Sequence, residues 1–246
     1  MFEKVFGVPY YGLDQNGRLK PEILPEFFQE TAARHAGTVG IGVEDLLERG
    51  MTWVLRRYRI NVRDCPNARD ITVKTWFEPQ RNLMSVRAFE AFSPDGVSIA
   101  DAWSAWIVLD LKKMRPVRLD HALPQSYFDA TDPTGEPIDD KLPALDGDCQ
   151  YVTVFKVRRR ELDLNGHANH TAYLDWALEG IPDEDVEGHF PARFDAEYLS
   201  SARREHVLIK TKKTSASPLT FRHWIFTKAL NTETARIVTE WRPYNY

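Results

Sequence analysis

The feature that most constrains this chain is that it is written twice. Leu13-Asp14-Gln15-Asn16-Gly17 returns as Leu162-Asp163-Leu164-Asn165-Gly166, and at the same offset Glu30 meets Glu179 and Phe27 meets Trp176. Further on, Val73-Lys74-Thr75 resembles Ile209-Lys210-Thr211. Asp-x-Asn-Gly alone is an ordinary turn sequence, but matches that keep a common order point to duplication. Between the copies, residues 129–148 hold seven acidic residues, three prolines and one lysine. Such a composition buries little surface and reads as an exposed linker. The 246 residues therefore divide into an N-terminal unit over 1–125, a linker over 126–148 and a C-terminal unit over 149–246.

Each half predicts the same elements in the same order. A short strand opens it, over 2–10 in the first half and 151–157 in the second. A helix follows: Phe28, Ala32 and His35 share one face of the first, with Pro25 in its opening turn and Gly37 as its stop. A second short helix is expected over 43–48. In the second half Asn169 suits an N-cap, Tyr173, Trp176 and Ala177 make the apolar stripe, and Gly180-Ile181-Pro182 ends the helix. Long strand-like runs come next, over 53–62, 71–77, 83–92 and 97–111, then over 191–199, 205–212, 219–230 and 235–241. One strand, a central helix and four strands describe an α+β unit, an antiparallel sheet wrapped around a helix. Two of them in tandem make a double hotdog.

Composition narrows the function. A net charge of −4 argues against a partner held by general phosphate attraction, so no nucleic acid is expected. Two cysteines, Cys65 and Cys149, lack metal-ligand spacing and suit a reducing compartment. No segment reaches the ~18 apolar residues that span a bilayer, and the first residues lack a signal-peptide core. A cytoplasmic protein with no membrane span is the expectation.

Polar residues crowd most densely in Asp163-Leu164-Asn165-Gly166-His167-Ala168-Asn169-His170, just before the second helix. Asp163, Asn165, His167 and Asn169 fall on alternate residues, so an extended loop would aim all four to one side. The N–H groups of a helix N-terminus would lie beside them. Thioester hydrolysis needs such parts: donors for the developing oxyanion, and an imidazole that orients or deprotonates water near neutral pH. The plainer reading of the same residues is a capping turn with a half-buried histidine. The first half is the control, because Arg18, Leu19 and Lys20 stand where the second has His167, Ala168 and Asn169.

From Asp163 through Tyr173, Trp176 and Glu179 to Pro182, the chain resembles the signature of acyl-acyl carrier protein (acyl-ACP) thioesterases, which reads roughly D-x-N-x-H-V-N-N-x-x-Y-x-x-W-x-x-E-x-x-P. The first half resembles that family's N-terminal domain through Gln29-Glu30-Thr31-Ala32, His35, Trp53-Val54, Thr75-Trp76 and Ala102-Trp103-Ser104-Ala105-Trp106. The likeness covers nearly the whole chain. It implies a tandem hotdog that hydrolyses fatty acyl-ACP to free acid and carrier, ending chain growth in fatty acid biosynthesis. It also implies catalysis in the C-terminal unit, acyl-chain selection mainly in the N-terminal one, acyl carrier protein as partner, and no cofactor or metal. Catalytic roles carry over to Asp163, holding the loop and Asn165; to Asn165, bonding the substrate carbonyl or water; and to His167, positioning or activating that water. Two stretches depart from the family. Ala168 and His170 replace a valine and an asparagine. Ser201 and Ala202 stand where members carry a glutamate and, in plants, a cysteine. The nearest carboxylates, Glu197 and Glu205, are each four residues off, ~13 Å along a strand.

Other signals are weaker. Asp14 and Asn16 sit in a loop that lacks the first and twelfth ligands of an EF-hand, so calcium is not expected. His167 and His170 with Asp163 lack a further ligand nearby in sequence for a metal. Basic runs at Arg56-Arg57-Tyr58-Arg59, Arg158-Arg159-Arg160, Arg203-Arg204 and Lys210-Thr211-Lys212-Lys213 read first as solvated sheet faces, and second as a dock for an acidic carrier. A homodimer is left open. The rival readings are a hotdog hydratase or dehydratase, whose Asp and His stand five apart rather than four, and an acyl-binding protein without hydrolysis.

Overall fold

The computed structural model describes residues 1–78, 83–129 and 140–244. The chain forms two compact units, Met1–Asp139 and Asp140–Tyr246. Of the acidic linker, residues 130–139 lie outside the described residues.

Unit 1 contains strands β1 (Phe2–Gly7), β2 (Met51–Val62), β3 (Asp70–Glu78), β4 (Ser85–Phe92), β5 (Ser98–Asp110) and β6 (Arg115–Val117), with helices α1 (Leu24–Thr38), α2 (Val43–Leu47), α3 (Leu119–Ala122) and α4 (Gln125–Asp129). Its sheet runs β1-β3-β4-β5-β2, antiparallel throughout, with β6 paired to β5. The apolar face of α1 lies on this sheet: Phe27 stacks on Phe6 of β1 at 4.5 Å and Phe28 meets Phe89 of β4 at 5.1 Å. Phe28 is fully buried, a burial that stabilises by about 2 kcal/mol. Gly37 does not stop the helix. It continues to Thr38, and Gly40, at φ +70°, makes the left-handed turn that ends it.

Unit 2 repeats the pattern with β7 (Tyr151–Lys156), α5 (His170–Leu178), α6 (Asp183–Val186), β8 (His189–Tyr198), β9 (His206–Ala216), β10 (Leu219–Thr227) and β11 (Glu233–Pro243). Its sheet order, β7-β9-β10-β11-β8, is that of unit 1 strand for strand. The registers agree too: Phe2–Thr75–Phe89 across unit 1 corresponds to Tyr151–Thr211–His223 across unit 2. Helix α5 packs on β8 to β11. It is shorter than α1, 9 residues against 15, because Pro182 cannot continue it. A side chain at Gly180 would also strike Thr211 Oγ1 at 2.8 Å. Residues 140–148 are held on this unit. Buried Glu197 accepts from Leu142 N at 2.9 Å, Arg236 donates to Leu142 O, and Trp224 donates to Pro143 O.

Candidate active site

The two loops fold alike to the hydrogen bond. In unit 2, Asp163 Oδ1 accepts from the backbone N–H of Asn165 at 2.8 Å and of His167 at 3.0 Å, while Asp163 N donates to His167 O at 2.7 Å. In unit 1, Asp14 Oδ1 accepts from Asn16 N and Arg18 N, both at 2.8 Å, and Asp14 N donates to Arg18 O at 2.8 Å. Gly166 and Gly17 take φ +71° and +76°, where a Cβ would strain the backbone. Leu162 pairs with Ala168 as Leu13 pairs with Leu19. The aspartate thus builds the turn in both copies, an Asx motif that a short carboxylate makes well.

This turn corrects the expectation of an extended loop aiming four side chains together. Asp163 folds back onto its own backbone. Asn169 caps α5, accepting from Thr171 N at 3.2 Å, while its carbonyl accepts from Ala172 N. Those two helix amides are therefore engaged rather than open to a ligand. What the turn presents is Asn165, exposed, and His167, half-buried. Among the described residues neither the Asn165 carboxamide nor the His167 imidazole has a hydrogen-bond partner.

A second strut, which the sequence reading missed, holds the loop from beneath. Ala202 is fully buried, its carbonyl accepts from Ala168 N at 2.9 Å, and its N–H donates to the Tyr173 hydroxyl at 2.8 Å. Tyr173 reads in sequence as part of an apolar stripe; its place in the family signature was the clue to a further role. Burial pushes its phenol up to about 12, with the charges of Glu205 and Asp163 adding to the shift. His170 is the first residue of α5. Its ring stands edge-on to Tyr198 at 6.1 Å, and burial pushes it down to about 4.

Ser201 is exposed and lies in the coil between β8 and β9, so spacing along a strand does not govern its neighbours. Glu197 is engaged with Leu142 and Arg236. Glu205 is half-buried, and its carboxylate accepts from Arg203 N at 3.3 Å. Of the basic runs, Arg158, Arg159, Arg160, Arg203 and Arg204 are exposed, whereas Arg57 is only 4% exposed and is no part of a solvated face. Among the described residues no helix is long and apolar enough to cross a membrane.

Two units of one topology, each an antiparallel sheet around a helix that follows a polar turn, define a tandem hotdog protein. Residues 1–127 match the model of the acyl-ACP thioesterase N-terminal domain, and residues 147–243 that of the C-terminal domain. The chain belongs to the acyl-ACP thioesterase family. Among curated relatives, an acyl-acyl-carrier-protein hydrolase, FATB3, of Cuphea viscosissima is 27% identical, covering 99% of this chain. Oleoyl-acyl carrier protein thioesterase 1 of Arabidopsis thaliana is 25% identical, covering 84%. The chain spans 63% and 62% of the lengths of these two relatives. The same fold occurs in an acyl-ACP thioesterase from Bacteroides thetaiotaomicron (TM-score 0.82, 24% identity, covering 98% of this chain and 97% of that one). It occurs again in the 12:0-ACP thioesterase from Umbellularia californica (TM-score 0.85, 21% identity, covering 99% and 97%).

Proposed function

We propose that this protein hydrolyses fatty acyl-ACP thioesters, releasing free fatty acid and carrier at the end of chain growth. The observation that carries this reading is the contrast between the two loops. Both use Asp, Asn and Gly to build one turn, but only the second adds an imidazole, one without a hydrogen-bond partner among the described residues.

Hydrolysis then runs as follows. His167 takes a proton from water as its oxygen adds to the thioester carbonyl carbon, and the Asn165 carboxamide donates to the resulting oxyanion. The C–S bond breaks, the carbonyl re-forms, and the imidazolium returns its proton to the departing thiolate. Asp163 and the Tyr173–Ala202 strut position the turn. Glu205 is the carboxylate nearest in sequence to Ser201 that, among the described residues, no other element engages. The exposed arginines at 158–160 offer an acidic carrier a dock beside the loop. Acyl binding without turnover is favoured by one observation, the serine where the family has glutamate. Thiol release from acyl-ACP and acyl-CoA, measured side by side, decides between them: release from acyl-ACP that His167→Ala abolishes supports the hydrolase, and tight acyl binding with no release overturns it.

A further inference from the structure

Unit 1 holds a buried cation that hydrolysis does not use. Arg87, on β4, is 5% exposed, and its guanidinium carbon lies 3.9 Å from the centre of the Phe77 ring. Its Nη1 donates to two neutral acceptors, His35 Nδ1 at 3.1 Å and Thr75 Oγ1 at 3.3 Å. A guanidinium can only donate, so the ring proton of neutral His35 sits on Nε2. Burial and the neighbouring Arg87 charge push His35 down to about 4, whereas Arg87, lowered by burial to about 9, stays charged at neutral pH. Among the described residues no carboxylate pairs with Arg87. A buried charge without a counter-ion is strongly destabilising.

The fold does not demand a cation at this position, because the sister unit carries its own on the opposite strand, where half-buried Lys213 lies 5.8 Å from the Phe221 ring and pairs with Asp185. The matched registers place Arg87, opposite Phe77, where unit 2 has Phe221 opposite Lys213. Phe221 is fully buried and packs with Ile181, Leu219 and Trp241. A hydrocarbon ring therefore fills the equivalent site. Around Arg87 the core is apolar and aromatic: His35 stacks on Phe77 at 4.6 Å, and Tyr127 meets Phe77 edge-on at 5.1 Å. The Nε–Nη2 edge of the guanidinium, the edge that grips a carboxylate with two parallel hydrogen bonds, has no protein partner among the described residues.

We propose that Arg87, with His35 beside it, seats a carboxylate carried on an apolar chain inside unit 1. The proposal rests on the thioesterase reading only for the kind of chain. Two sources share that chemistry: the free fatty acid that hydrolysis would release, and the far end of a dicarboxylic acyl thioester. Two arms distinguish them. In the first, dodecanoate and dodecanol are titrated calorimetrically into the full chain. In the second, turnover of a dodecanoyl thioester is compared with that of its ω-carboxy counterpart. In one arm or the other, the carboxylated molecule should be preferred about tenfold or more, the scale of a charge-assisted hydrogen-bond pair. Arg87→Met should abolish that preference and Arg87→Lys should keep part of it. Methionine also removes the uncompensated charge, so the ligand-free variant should melt no lower than the parent. A dodecanoate preference should survive His167→Ala, which separates failure of the hydrolytic reading from failure of this one. Equal handling of carboxylated and neutral molecules in both arms overturns the proposal, as does a preference that survives Arg87→Met.

Discussion

The loop at Asp14 and the loop at Asp163 share a backbone, an aspartate with the same two N–H partners, an Asn and a left-handed glycine. They differ in that the first has Arg18 and Lys20 where the second has His167 and Asn169. The shared residues therefore serve the turn, and a chemical role attaches first to what differs. Asp163 illustrates the point. Its resemblance to a family's catalytic aspartate is real, yet Asp14 does the same local work in a unit that carries no imidazole at the matching position. Arg87 and Phe221 extend the comparison to the cores: one unit buries a charge with no carboxylate partner among the described residues where the other packs a ring.

The comparison breaks most sharply at His167. His167→Ala and Asn165→Ala should each lower turnover by ~10²-fold or more in a folded protein, while Arg18→Ala leaves the chemical step intact. Steady-state kinetics decide it: equal loss in Arg18→Ala with unchanged KM would undo the division of labour. Acidification tests the other histidines. His223 is fully buried between Thr211 Oγ1 at 2.9 Å and Thr239 Oγ1 at 3.1 Å, and burial lowers it to about 3. The unfolded chain then binds the proton first, so this histidine's stabilisation is complete above its unfolded pKa and is lost as pH falls toward 3. Its share of the loss should be about 2 kcal/mol by pH 5, and denaturant midpoints at pH 7 and 5 would reveal it. Insensitivity to pH over that range would contradict a buried neutral His223.

Smaller effects sharpen the picture. Reversing two charges among Arg158, Arg159 and Arg160 should raise KM for carrier-linked substrate about tenfold at low salt and flatten its salt dependence. An equal effect on acyl-CoA would indicate damage to the site instead. Ser201→Ala should change turnover less than ~10-fold, because at most one neutral hydrogen bond is lost. Ser201→Glu should lower it, since the larger anion would crowd a site formed around serine; a clear gain would favour a site decayed from a glutamate. Smallest is the pair Asp14→Ala and Asp163→Ala. Each should cost about 1 kcal/mol in chemical denaturation, because water replaces much of what an exposed carboxylate supplies, and only the second should also reduce turnover.

The ten strand-like segments, two short and eight long, were legible because alternating apolar residues and turn glycines repeat in the same order in both halves. The cap at Asn169 was legible for a local reason too, since a short amide precedes an apolar stripe. Strand β6 and helices α3, α4 and α6 were not. Each spans five residues or fewer and has no period to read; Tyr127 on α4, for example, is held by contacts with Ser85 and Phe77, far away in sequence.

By itself, then, the order of residues determined the duplication, the class of each unit and the turn that carries His167, because these depend on neighbours along the chain. Only the tertiary structure decided where side chains point and what they meet. Alternation suggested four polar groups on one side, but a left-handed glycine and the Asp163 carboxylate curl the loop, turning Asp163 back onto its own backbone while Asn169 is committed to the helix. Ala202 beneath the loop depends on the coil after β8 meeting α5, and Arg87 against His35, with no carboxylate partner among the described residues, depends on β4 meeting α1. No local pattern encodes them, because the interactions that place them join residues brought together only when the sheet closes on its helix.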